Sequence, residues 1–112
     1  MRFRPLRSAA APIADLPPVP DPPSTMKAVV FGGPGGPDVL HEASIPVPSP
    51  ILSELLVRVV AAGINPIDAK TRSGAGVSGA IDSYPSTLGY DFSGIVVRAP
   101  YEAHPLQPGT EV

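Results

Sequence analysis

The stretch Glu54–Arg72, ELLVRVVAAGINPIDAKTR, decides the fold, because a strand-like run and a short helix start meet in it across Gly63. In residues 54–62 one alternating face is wholly apolar (Leu55, Val57, Val59, Ala61), while the other mixes Glu54, Leu56, Arg58 and Val60. A period of two with one apolar face predicts a strand covering a core. Asn65 then reads as an N-cap, Pro66 as the first helical residue and Asp68 as the acid three places on, the parts of a capping box. The helix is predicted to be short and to end near Gly74, with Asp68 and Arg72 spaced to pair across its outer face. Polar groups are thereby carried on a rigid edge just beyond a buried strand, a common way to present a site.

Working outward toward the N-terminus, Pro46, Pro48 and Pro50 make a stiff link into this strand, and Val39–Ser44 reads as the strand before it. Met26–Phe31, MKAVVF, is a β-branched run bounded by GGPGGPD, hence strand then turn. On the other side RSGAGVSGAIDSYPS is a Gly/Ser loop without periodicity. Gly89–Arg98, GYDFSGIVVR, returns to strand character, with Gly94 a bulge or a point of close backbone approach. The closing PGTEV reads as a turn leading into a further strand.

With 112 residues the chain holds one domain at most. Residues 1–25 differ from the rest: they contain seven of the seventeen prolines and none of the eleven glycines. They read as an extended, disordered Pro-rich tail, and residues 26–112 as the folded domain. Arg2, Arg4, Arg7 and Ser8 without an acid resemble a mitochondrial presequence, yet Pro5 and Pro12 break the amphipathic helix that a presequence needs. A plain extension on a cytoplasmic protein is the expectation.

Composition removes several function classes. The chain has no cysteine, which excludes disulfides and thiolate metal sites. Eight basic against ten acidic residues give no field that would select nucleic acid or an anionic membrane, and the apolar runs are too short to span a bilayer. His41 and His104 lie in unrelated contexts and form no spaced ligand set. Both read as surface residues.

Gly74-Ala75-Gly76-Val77-Ser78-Gly79 matches the dinucleotide pattern G-x-G-x-x-G letter for letter. That pattern needs a strand before it and a helix after it, so that the pyrophosphate meets a helix N-terminus. Here a helix precedes and no helical run follows, so the segment reads as a flexible surface loop. GGPGGPD does follow a strand, but its prolines remove two amide donors, and it reads as a turn.

Asn65, Asp68 and Lys70 form the one constellation with chemical promise, although capping, charge pairing and a solvated lysine account for the same spacing. The order MKAVVF-GGPGGPDVL, then LLVRVVAAGINPIDAKTRSG, then LGYDFSGIVV and PGTEV resembles the GroES-like N-terminal domain of the medium-chain dehydrogenase/reductase superfamily. The zinc-free, zeta-crystallin-like branch of quinone oxidoreductases and enoyl reductases is the nearest match. The resemblance covers 26–112 and implies a mainly β fold, a partly open GroES-like barrel with one short helix, incomplete at its C-terminal edge.

What the resemblance implies for chemistry follows position by position. Where zinc alcohol dehydrogenases carry a ligand cysteine, a proton-relay hydroxyl and a ligand histidine, this chain has Asn65, Ile67 and Tyr90. Asn and Tyr are poor zinc ligands and Ile relays no proton, so no catalytic zinc is expected. The implied activity is NADPH-dependent reduction of a small quinone or enal. Asn65 and Lys70 are the implied catalytic and cofactor-lining residues, and Asp68, Tyr90 and Asp91 the implied substrate-cleft residues. The family's Rossmann domain lies beyond the stretch matched by Gly109-Thr110-Glu111-Val112, so the expectation is a substrate-side piece that binds NADPH weakly and is inactive alone, with self-association through an unpaired sheet edge. A non-catalytic binding module or a co-chaperonin-type lid is the alternative.

Overall fold

The computed structural model of the chain describes residues 16–112. Its elements are β1 (Thr25–Phe31), a 3-10 turn (Pro37–Val39), β2 (Leu40–Pro46), β3 (Leu56–Ala62), α1 (Pro66–Arg72), a second 3-10 turn (Ser78–Ala80) and β4 (Phe92–Arg98). The strands form two open two-stranded sheets, β1–β2 and β3–β4, which do not close into a barrel. The chain is thus mainly β with a single α-helix among the described residues. The described residues divide into two compact units: Pro23–Val47 with Ala62–Asp91, and Pro48–Ala61 with Phe92–Val112 and residues 16–22.

In the unit that carries α1, β1 and β2 pair antiparallel from Thr25↔Pro46 to Phe31↔Leu40. The strand begins at Thr25, one residue before the expected start, because Thr25 still has a ladder partner. Phe31 is fully buried. Its backbone exchanges two 3.0 Å hydrogen bonds with Ser86, and its ring meets Tyr84 edge-on at 5.4 Å. The aperiodic Gly/Ser loop is therefore tied down at this end: an apolar side chain and a bridging backbone hold it where the sequence offered no repeat to read.

The GGPGGPD turn is anchored to the end of α1. Gly35 N–H donates to the Arg72 carbonyl at 2.9 Å, and Arg72 Nε donates back to the Gly35 carbonyl at 3.2 Å. This reciprocal pair replaces the expected Asp68–Arg72 ion pair, which does not form. The guanidinium reaches the turn, while Asp68 points back to the helix start.

The other unit corrects the expected core face. Leu56, assigned to the mixed face of β3, is buried, whereas Val59 is 54% exposed. Alternation identifies two faces, but burial depends on what lies over each, and here only the start of β3 is covered. Gly94 is a close-approach point, since a side chain there would run into the Arg58 carbonyl. PGTEV is not left dangling. Gly94 and Val112 exchange two 2.9 Å bonds, Val96 donates to Thr110 and Gly109 donates to Val96, so this segment runs along β4 as a further edge.

Gly109 is buried with φ +95°, and a Cβ on it would meet the Pro17 carbonyl at 2.7 Å. Leu16 and Pro17, expected to be free of the fold, thus lie against it. The rest of the tail reading, residues 1–15 with their arginines, falls outside the described residues. His104 is half-buried and accepts the Leu106 N–H at 3.0 Å through Nδ1, which makes it part of a turn.

Candidate functional site

β3 leads through Gly63 to Asn65, and both are held by one residue further along the chain. Gly63 N–H donates to the Asp91 carbonyl at 2.8 Å, and Asn65 Nδ2 donates to Asp91 Oδ2. A Cβ on Gly63 would come within 3.2 Å of Asp91 Cβ, so the glycine permits this approach. Asn65 is extended (φ −126°, ψ 158°) and is the N-cap of α1, with Pro66 at the first helical position.

Asp68 completes the capping box. Its Oδ2 accepts the Asn65 backbone N–H at 2.9 Å, and its own N–H donates to the Asn65 carbonyl at 2.9 Å. The side chain is 6% exposed, and Oδ1 has no hydrogen-bond partner. Asp68 therefore acts on the helix start and on Asn65. One turn on, Thr71 is 2% exposed and its Oγ1 accepts the Val77 N–H at 3.3 Å. Lys70 is exposed and makes no ion pair among the described residues.

A cleft of about 360 Å³ lies within the same unit, lined by Thr71 and the 80–90 segment. Tyr90 is the one expected site residue on its wall. Asn65, Asp68, Lys70 and Asp91 do not line it. The hydroxyls of Ser83, Ser86 and Thr87 and the carboxylate of Asp82, which do, carry no periodic or motif signal in the sequence; the only cue is a polar run around Pro85.

The glycine pattern at 74–79 is a helix stop. Ser73 N–H donates to the Ala69 carbonyl, Gly74 N–H to Thr71 and Ala75 N–H to Lys70, with Gly74 at φ +100°. Val77 and Ser78 N–H are engaged by Thr71 Oγ1 and the Ala75 carbonyl. A phosphate cradle needs a run of free amides, and four of the six in this pattern, those of Gly74, Ala75, Val77 and Ser78, are taken. The segment is held by its backbone bonds rather than loose.

No group of three or more His, Asp or Glu residues able to hold a metal occurs among the described residues, and no helix among them is long and apolar enough to cross a membrane.

The family described as the alcohol dehydrogenase GroES-like domain matches residues 52–112, more than half of the chain. The chain belongs to that family. Within the medium-chain dehydrogenase/reductase superfamily, this GroES-like domain is similar to an NADPH-dependent alkenal/one oxidoreductase, chloroplastic, of Arabidopsis thaliana, at 44% identity over 92 residues. The match covers 80% of this chain and 23% of that protein. A 2-methylene-furan-3-one reductase of Solanum lycopersicum is 39% identical over 92 residues, again 80% of this chain and 23% of the relative. The solved quinone oxidoreductase from Coxiella burnetii superposes with a TM-score of 0.71 at 38% identity, covering 78% of this chain and 28% of that one. The GroES-like domain thus spans about a quarter of the length of the curated relatives it matches.

Proposed function

We propose that this GroES-like domain is the substrate side of an NADPH-dependent reductase of small quinones and enals. The observation that supports it most is the Asn65–Asp91 clamp at the start of α1, in a unit that also carries the cleft walled by Tyr90. An NADPH-dependent alkenal/one oxidoreductase and a quinone-oxidoreductase homolog are similar over 80% and 78% of this chain.

NADPH, when bound, supplies the hydride. Two features of the chain bear on whether it fits. Asn65 and the unpaired ammonium of Lys70 offer an amide and a cation to the nicotinamide side. In the glycine segment the amides of Gly74, Ala75, Val77 and Ser78 are already engaged and no α-helix follows among the described residues to receive a pyrophosphate at its N-terminus, so the chain's own hold on the cofactor is weak.

The chain's residues have separable tasks. A carboxylate only accepts, so Asp91 turns the Nδ2 end of the Asn65 amide toward itself and leaves the second Nδ2 hydrogen free to donate. Asp68 fixes the Asn65 backbone from the helix side. Tyr90 and the cleft hydroxyls provide donors for a carbonyl oxygen as negative charge develops on it. Holding the reacting groups in register is where most of the rate gain would arise.

Two assays test this. Fluorescence titration of the purified chain with NADPH should give weak binding and no acceptor-dependent oxidation. A chimera with residues 52–112 in place of the matching stretch of the Arabidopsis oxidoreductase should reduce an enal with NADPH and lose at least about tenfold in rate on Asn65→Ala. A folded chimera without turnover, or with turnover indifferent to Asn65, overturns the proposal.

A further inference from the structure

Among the groups lining the cleft of about 360 Å³, Asp82 is the only charged one. It is exposed and makes no ion pair among the described residues. The other polar groups on the wall are hydroxyls: Thr71, Ser83, Ser86, Thr87 and Tyr90. Ser86 is rigidly placed by its two backbone bonds to Phe31, and Thr71 Oγ1 is engaged by Val77 N–H. Ser83, Thr87 and Tyr90 keep hydroxyl donors that no protein atom takes. Ile81, Leu88 and Ala80 supply an apolar surface beside them.

Donors beside an apolar wall suit a molecule with a carbonyl oxygen on a flat hydrocarbon body, and a cavity of this size is within the range of small-ligand sites. No cation lines the cleft to neutralise an anionic ligand, while a carboxylate is present to repel one. We propose that the cleft selects uncharged carbonyl compounds, and that Asp82 is the specificity-determining residue that turns away carboxylate-bearing ones. This deepens the reductase reading by naming the charge class of the substrate, and it rests on that reading for its link to catalysis.

A unit charge about 5 Å from a carboxylate in a water-exposed site is opposed by enough Coulomb energy to weaken binding about fivefold, more where water is excluded. High salt screens that effect.

The experiment uses the full chain, labelled with nitrogen-15, and follows the backbone amides of Ser83, Thr87 and Gly89 by NMR. The two probes share one ring: cyclohex-2-enone, and the same enone carrying a carboxylate, 3-oxocyclohex-1-ene-1-carboxylate. Cyclohex-2-enone should shift these amides saturably, and the carboxylate should bind about fivefold more weakly at low salt. Asp82→Asn should bring the two affinities together, as should added salt on the unchanged protein. Thr87→Val should weaken both probes and leave their ratio as it was. The inference is overturned if the carboxylate binds as well as the neutral ring, if Asp82→Asn leaves the ratio unchanged, or if neither probe moves the cleft amides. Failure of the reductase reading looks different: the neutral ring binds selectively, yet the chimera consumes no NADPH.

Discussion

The side-chain amide of Asn65 donates to the carboxylate of Asp91, a residue 26 positions further along the chain, and the backbone of Asp91 also holds Gly63. The segment leading into α1 is therefore clamped at two points by one residue. Asp91→Ala removes only the side-chain half and should cost about 1 kcal/mol. Asp91→Asn keeps an acceptor and should cost less. Urea unfolding of the two variants checks the order, and equal losses would mean that the hydrogen bond is not what stabilises the start of α1.

The two ends of the glycine pattern should behave differently. Gly74 sits at φ +100°, with Pro34 Cβ only 3.3 Å from where its own Cβ would lie. Gly74→Ala should cost about 1 kcal/mol or more. Gly79 has ordinary backbone and open space, so Gly79→Ala should be neutral within about 0.5 kcal/mol. Thermal unfolding of both variants decides the matter; a phosphate-loop role would instead make them similar and move NADPH affinity.

Phe31 joins β1 to the 80–90 segment through both its backbone and its ring. Phe31→Ala should destabilise by about 3–5 kcal/mol, a large share of a small domain's total. Phe31→Leu, which keeps most of the volume, should lose clearly less. Calorimetry of both variants, with the amides of 80–90 followed by hydrogen exchange, checks that the cleft wall loosens with the core.

Zinc should be absent from purified protein at stoichiometric level, because the chain has no cysteine and Asn65 and Tyr90 are poor ligands. Atomic absorption after dialysis against a chelator measures it. Equimolar, chelator-resistant zinc would require a donor set quite different from these residues.

The helix was legible residue by residue. Its start at Asn65-Pro66, its capping acid Asp68 and its stop before Gly74 all act within a few positions of one another, so their physics is written in adjacent letters. β1, its turn and β2 were legible for the same reason, within one or two residues at each end. The strand pattern could not say which face of β3 is buried. Burial is a property of two surfaces, and the second is supplied from elsewhere, so Leu56 rather than Val59 is enclosed.

At the site, the sequence alone placed Asn65 and Asp68 at a helix start, and put Tyr90 and Asp91 in a strand over 89–98 that in the structure begins only at Phe92, after Asp91 has turned to Gly63 and Asn65. Only the tertiary structure decided their partners. Asp91 finds Asn65, Arg72 turns from Asp68 to Gly35, and an aperiodic loop folds into a cleft wall because Phe31 and Ser86 bind its far end. Each of these contacts joins residues that chain connectivity keeps apart. Local propensity carries no information about which distant group offers the better hydrogen bond, and that choice is made when the backbone closes.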